Sequence, residues 1–346
     1  MNAFWKSSVA DLEPINQKRE LWVDIAKGIS ISLVVLWHVV GERFLLSEAL
    51  ILVRMPLFFF VAGLFARKIF SDRTSKAQFF FKVSNFIYLY VLWALIAYFL
   101  TTLPVQLRND GIDFSNITQM FYSPVRTLWF IYALFFAFLI VYTFRKLPVF
   151  LVLSIFLVGY YFAAIDGNWR NVEFFNRVLR LIPFFFLGVI SFHQVRKLVV
   201  DLNKAWFLFL PVALLLAYIV YDLDFLRSNP LVTFSVSLFG IFSVLLFSHW
   251  LSFYSFSKFI AAAGLGSLYI YVVHRVTQFY LYDLPYSFFL DPSFKDTGMG
   301  VALGVVATFA IIIISFVVGK YLNKISYGIL FNIPKLSAVK KLARRS

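Results

Sequence analysis

The chain has 346 residues, of which 61% are hydrophobic and only 14% are charged, and its mean hydropathy is +0.83. A soluble domain has about 45–50% apolar and about 25% charged residues, so this composition predicts an integral membrane protein and excludes a large catalytic domain outside the membrane. The absence of cysteine excludes disulfides, thiolate-bound metals and a cysteinyl thioester intermediate.

The apolar sequence divides into ten segments of membrane-spanning length. A span needs about 20 apolar residues, and the segments cover residues 24–44, 47–66, 82–102, 126–144, 148–165, 177–195, 205–221, 231–250, 265–282 and 300–320. Their apolar runs lack the alternation of a barrel strand, and a lone span must satisfy its backbone hydrogen bonds internally. We therefore expect an all-α fold, a polytopic membrane helix bundle of about ten transmembrane helices.

The net charge of +15 reflects basic loops on one side of the membrane. Lys and Arg concentrate in alternate loops, such as 67–82 and 196–204, while the intervening loops hold most of the acidic residues. Because cytoplasmic loops are enriched in Lys and Arg, both termini are predicted to be cytoplasmic, and no nucleic acid is expected as a partner. The predicted divisions are a cytoplasmic segment over 1–20, a transmembrane domain over 21–325 and a basic cytoplasmic tail over 326–346. The first span is expected to be an uncleaved anchor.

The first apolar segment contains ionisable residues that fall on one helical stripe. Lys27 and His38 are 11 residues apart, which corresponds to three turns plus about 20° and to about 16 Å along a helix axis. Asp24 lies three residues before Lys27 and Glu42 four residues after His38, so both join the stripe. Charged groups within a bilayer are costly and usually functional. Asp24 is expected to pair with Lys27, and Glu42 is expected to orient His38.

Further ionisable residues occur in the sixth and ninth segments. Arg177 and Arg180 share one helix face with Glu173, and Arg180 needs a carboxylate or an anionic ligand as its partner. His274 lies at membrane depth in the ninth segment. A hydrogen bond between helices is the alternative explanation for a histidine at such depth. The four scattered histidines do not cluster as metal ligands, so no metal is expected.

Five stretches of the chain resemble the motifs of one family of membrane enzymes. They are DIAKGISISLVVLWH, RMPLFFFVAGLFARK, LWFIYALFF, RLIPFFFLG and GLGSLYIYVVH, in this order. With these motifs the sequence resembles the acyltransferase 3 family of ten-span membrane O-acyltransferases. Lys27 stands where many relatives have arginine, as in a branch that resembles the fucose 4-O-acetylases.

The resemblance implies an acyl donor, usually acetyl-CoA, from the cytoplasm and a hydroxyl acceptor on a cell-surface glycan or a lipid-linked saccharide. It implies that His38 is the catalytic histidine and Lys27 its motif partner, in a multi-pass protein of the inner (plasma) membrane. We assign His38 and Glu42 to catalysis. Binding of the donor is assigned to Asp24, Lys27, Arg177, Arg180 and His274. Membrane lipids and proteins of polysaccharide biosynthesis are the further expected partners.

Acyl transfer requires removal of the hydroxyl proton as the acceptor attacks the thioester. An imidazole titrates near neutral pH, which suits this task, so His38 is expected to act either as the base for direct attack or as an acyl carrier. The alternative is a transporter or flippase for a glycan precursor, for which broken spans or an inverted repeat would be expected. A non-catalytic scaffold would leave the alignment of Lys27 with His38 unexplained.

Overall fold

The structure is a computed structural model of the chain, and it describes the residues within eight ranges. These are 20–41, 49–70, 75–108, 124, 128–165, 174–202, 208–285 and 296–334. Predictions that concern Glu42, Glu173 and most of the termini therefore lie outside the described residues.

All regular structure in the described residues is helical. The helices are α1 (Leu21–Val40), α2 (Ile51–Ala66), α3 (Lys76–Ala97), α4 (Leu103–Arg108), α5 (Trp129–Phe144), α6 (Val149–Ala164), α7 (Phe174–Asp201), α8 (Phe209–Asp222), α9 (Asp224–Arg227), α10 (Pro230–Leu251), α11 (Ser257–Leu265), α12 (Ser267–Gln278) and α13 (Gly298–Ile325). A 3₁₀ turn at Arg67–Phe70 follows α2. Two π-helical turns, Tyr98–Thr102 between α3 and α4 and Phe279–Asp283 after α12, extend these helices. The all-α prediction is confirmed for this part of the chain.

Each of the ten predicted apolar segments overlaps one of these helices. Within the described ranges, five helical stretches are long and apolar enough to cross a membrane, namely α1, Lys76–Leu107, α7, α10 and α13, and the pair α11 and α12 would be a sixth as a broken span. Four shorter apolar helices, α2, α5, α6 and α8, complete the set. The chain is therefore a multi-pass membrane protein, while the ten-span count and the cytoplasmic position of both ends remain predictions.

Helix α13 illustrates how these helices divide their surface between lipid and protein. In its middle part, large side chains that are more than half exposed recur every three or four residues, at Val306, Phe309, Ile313 and Val317. The buried face contains small and polar residues, among them Gly300, Gly304, Thr308, Ser315 and Gly319. An apolar stripe of this length is unfavourable in water, so it is the lipid-facing side of the helix.

The chain divides into two compact units. Unit one comprises Met1–Leu33, Phe44–Phe79 and Phe136–Leu265, and unit two comprises Val34–Arg43, Phe80–Phe135 and Gly266–Ser346. Helix α1 contributes Asp24 and Lys27 to unit one and His38 to unit two.

In unit one, helices α2 and α7 pack with their backbones in contact. A Cβ atom at Gly63 would lie 2.1 Å from the carbonyl oxygen of Phe185, and one at Gly188 would lie 2.1 Å from the carbonyl oxygen of Phe60. Small residues permit this close approach of membrane helices. Because neither glycine has room for a side chain, this crossing determines the position of α7, and with it the positions of Arg177 and Arg180.

In unit two, the residues that follow α13 are hydrogen-bonded to α3. Tyr88 donates its hydroxyl proton to the carbonyl of Ile329 at 2.8 Å, and Trp93 donates Nε1–H to the carbonyl of Leu330 at 2.7 Å. Phe331 is buried, and its ring contacts the ring of Trp93 at 5.5 Å between centroids. The beginning of the predicted tail, up to residue 334, is therefore packed against the helices of this unit.

Candidate active site

Unit two brings together two histidines that are far apart in the sequence. His38 lies in the last turn of α1 and His274 lies in α12. Their ring centroids are 5.3 Å apart and their planes are inclined by 32°. His38 is partly exposed, whereas the side chain of His274 has no exposed surface. Because the two imidazoles are in contact and one of them is fully buried, the pair is the main candidate for catalytic chemistry in unit two.

The orientation of His274 follows from the bonds of its Nδ1 atom. Nδ1 lies 2.7 Å from the carbonyl oxygen of Tyr271 and 3.1 Å from that of Ile270. Because a carbonyl oxygen can only accept, Nδ1 carries the proton and donates it. The other ring nitrogen, Nε2, is buried and has no hydrogen-bond partner in the described part of the chain. In the neutral ring this nitrogen is a hydrogen-bond acceptor.

Tyr271 connects the turn that holds His274 to the beginning of α5. Its hydroxyl accepts a hydrogen bond from the backbone N–H of Phe130 at 3.2 Å, and its ring packs edge-on against the Phe130 ring at 5.6 Å. The first amides of a helix have no partner within the helix, so a buried hydroxyl at this position satisfies one of them. The Tyr271 ring also contacts His274, with 5.9 Å between the centroids.

Gln278 stabilises the end of the helix that holds His38. The last carbonyls of a helix have no amide partner within it, and α1 ends at Val40. The carbonyl oxygen of His38 accepts a hydrogen bond of 2.8 Å from Nε2 of Gln278. Gln278 is 3% exposed, and its Oε1 atom has no hydrogen-bond partner among the residues that the structure describes.

An ion pair joins α12 to the π-helical turn that follows it. Arg275 donates from Nη1 to Oδ2 of Asp283 at 2.9 Å, and Nε2 of Gln278 lies 3.5 Å from Oδ1 of the same carboxylate. Both partners are partly exposed, and such pairs contribute little to stability. The role of this ion pair is positional: it neutralises the Asp283 carboxylate beside Gln278, and it holds the π-helical turn against α12.

Lys27 and Asp24 lie on α1 within unit one. The ammonium group of Lys27 lies 3.3 Å from the centroid of the Phe65 ring, in a cation–π contact. Asp24 is buried at 3% exposure. The predicted stripe of ionisable residues requires a continuous helix, and α1 is continuous from Leu21 to Val40. The pairing of Asp24 with Lys27 and their donor-binding roles remain predictions.

Arg180 is fully buried and hydrogen-bonded to the end of a neighbouring helix in unit one. Its Nε donates to the carbonyl oxygen of Ala163 at 2.6 Å. Ala163 belongs to the last turn of α6, where carbonyls lack partners and the helix dipole favours a positive charge. The carboxylate or anionic ligand expected from the sequence as a partner of Arg180 remains a prediction. Arg177, one turn earlier on α7, is partly exposed.

Sequence reasoning missed several polar residues that the structure places together. Gln278, Tyr271 and the Arg275–Asp283 pair contact the histidine site, but a glutamine or tyrosine in an apolar segment gives no signal by type or spacing. In unit one, His193 of α7 accepts at Nε2 a hydrogen bond of 2.6 Å from Arg67. Glu42 lies outside the described residues, so its assignment to catalysis remains a prediction.

The fold and the site define a multi-pass helical membrane protein with a histidine pair in one unit. The family model described as an acyltransferase domain, the acyltransferase 3 family, matches residues 20–320. The chain therefore belongs to this family, and it is a membrane acyltransferase. No curated protein and no solved structure matches it significantly. Membership favours an acyltransferase over the alternative of a transporter or flippase, and the similarity to fucose 4-O-acetylases remains a prediction.

Proposed function

We propose that this protein transfers an acyl group, most simply acetyl, from cytoplasmic acyl-CoA to a hydroxyl of a cell-surface glycan or of its lipid-linked precursor. The enzyme would act in the inner (plasma) membrane, with His38 as the base or the acyl carrier. The observation that supports this best is the contact of His38 with the buried ring of His274, at 5.3 Å between centroids, in a chain of an acyltransferase family.

The proposed reaction has two routes that balance in the same way. In the direct route, His38 takes the proton of the attacking hydroxyl, the new C–O bond forms, and the thioester C–S bond breaks. In the covalent route, the His38 nitrogen first displaces the thiolate, and the acyl imidazole then passes the acyl group to the hydroxyl. In both routes the acceptor's proton finally neutralises the CoA thiolate. A cysteinyl intermediate is excluded because the chain has no cysteine.

We propose that the donor is bound by cations. Lys27 is the first candidate, since its ammonium group lies on the partly exposed ring of Phe65 and a positive charge there suits CoA phosphates or a developing oxyanion. Asp24, Arg177 and Arg180 complete the proposed donor site. The hydrogen bond from Arg180 to Ala163 gives this residue a structural task as well. Glu42 is proposed to orient His38.

The test replaces His38 with Gln and measures acetyl esters on the surface glycan of cells that express the full chain. General base or nucleophilic catalysis contributes about 10²–10⁴-fold, so ester formation should fall at least about 100-fold. His249→Gln is the matched control, because His249 is a partly buried histidine at the end of α10 in unit one. Wild-type ester levels in a well-expressed His38→Gln variant would refute the proposed role.

A further inference from the structure

Two buried acceptor atoms lie on one face of α12, beside His38. His274 and Gln278 are four residues apart, which places them on the same helix face. The exposed fractions of their side chains are 0% and 3%. His274 Nε2 and Gln278 Oε1 each lack a hydrogen-bond partner in the described ranges. Both residues contact His38, one through its ring and the other through its carbonyl.

The bonds that these side chains do make determine what the two atoms can bind. The Nδ1–H of His274 is committed to the carbonyls of Tyr271 and Ile270, which leaves Nε2 of the neutral ring as an acceptor. The amide nitrogen of Gln278 is committed to the carbonyl of His38, which leaves Oε1 as an acceptor. Two neutral acceptors call for a ligand that brings hydrogen-bond donors and no negative charge.

Burial favours the binding of such a ligand, because a buried acceptor without a partner costs free energy. Of the two substrates of an acyl transfer, the reacting end of the donor offers a thioester, which has no donor group. A polyhydroxyl acceptor offers several O–H groups. The hydroxyls next to the one that is acylated remain free to donate hydrogen bonds to the two buried acceptor atoms.

We propose that His274 Nε2 and Gln278 Oε1 form the acceptor-recognition site, binding the hydroxyls adjacent to the one that is acylated. The inference rests on the proposed function and deepens it, since it names a neutral molecule with vicinal hydroxyls as the acceptor class. It assigns His274 to the acceptor, whereas the sequence assigned this residue to the donor. Gln278 also acts as a positioning residue, through its bond to the carbonyl of His38.

The test measures the kinetics of the full-length protein in membranes with radiolabelled acetyl-CoA. The acceptor is surface glycan of the source cells, stripped of its esters by mild alkali. Gln278→Leu and His274→Phe each remove one of the two acceptor atoms, together with the N–H group of the same side chain that binds a backbone carbonyl. Each should raise the KM for the glycan about three- to tenfold, as expected for one neutral hydrogen bond, while the KM for acetyl-CoA stays within about twofold. Phenylalanine keeps an aromatic ring next to His38, so His274→Phe still tests the acceptor site if Gln278→Leu does not fold.

Thr277→Val is the matched control, because Thr277 is buried on the same helix and its hydroxyl accepts a hydrogen bond from Ser315 of α13. It should leave both KM values within about twofold. An unchanged KM for the glycan in the Gln278 and His274 variants overturns the inference. So does a raised KM for acetyl-CoA alone, which would assign both atoms to the amides of the pantetheine arm. Absence of transfer by the wild-type protein overturns the proposed function itself.

Discussion

At the scale of single residues, three buried polar side chains near the candidate sites are held by backbone carbonyls. His274 donates to Tyr271 and Ile270, Gln278 donates to His38, and Arg180 donates to Ala163. The carbonyls of His38 and Ala163 lie in the last turns of their helices, where carbonyls lack partners, whereas those of Ile270 and Tyr271 lie within α12, one turn before His274. A side chain that reaches such a carbonyl is thereby fixed in place, which is the condition for positioning its remaining polar atoms.

Arg180 gives a prediction that separates a structural role from donor binding. Arg180→Ala removes a fully buried side chain together with its hydrogen bond to Ala163, and it should lower the free energy of unfolding by about 2–4 kcal/mol. Arg177→Ala, on the same helix and partly exposed, should cost less than about 1 kcal/mol. Both are measured by thermal unfolding in detergent. Full stability with lost activity in Arg180→Ala would instead assign the residue to a ligand.

At the scale of helices, the positions of polar residues depend on crossings made by small residues. The α2–α7 crossing brings backbone atoms so close that a Cβ at Gly63 would clash with the carbonyl of Phe185 at 2.1 Å. Lipid offers no hydrophobic drive for helices to associate, so close packing must supply the attraction. A side chain at this point separates the two helices and loses that contact along their length.

Gly63→Val should therefore destabilise the protein by at least about 2 kcal/mol, the upper part of the usual range for overpacking. Gly159→Ala in α6 is the control, because its Cβ would meet only the flexible end of Leu179 at 3.5 Å. That change should be neutral or stabilising by up to about 1 kcal/mol, since alanine favours a helix over glycine. Equal losses of stability in the two variants would contradict this account of the crossing.

At the scale of the whole molecule, the predicted topology places the two ends of α10 on opposite sides of the membrane. Ser228 precedes this helix and Ser255 follows it, and both are exposed. Because the chain has no cysteine, a single introduced cysteine is its only thiol, and labelling of this thiol shows on which side of the membrane the residue lies. Ser228→Cys should react with an impermeant maleimide in intact cells, and Ser255→Cys only after permeabilisation. Labelling of both residues from outside would show that the loop assignments are wrong.

Much of the helical framework could be predicted from the sequence, because a run of apolar residues in lipid must form a helix wherever it lies. His38 and Lys27 could also be singled out, since ionisable residues are rare in such runs. Gln278 could not be singled out from the sequence. An uncharged amide in an apolar segment does not stand out there, and its importance comes from the hydrogen bond to the His38 carbonyl. The hydrogen bond of Arg180 to Ala163 could not be predicted either, because backbone acceptors do not appear in a pattern of side chains.

The sequence by itself determined that this protein is an all-helical membrane enzyme, since hydropathy and family motifs are read within single segments. Only the tertiary structure decided that His38 meets His274 and that its carbonyl is bonded to Gln278, a residue 240 positions away. The physical reason is that these contacts depend on which helix faces pack together. That choice is made by close packing and by the pairing of buried polar groups, whose partners lie in other segments of the chain.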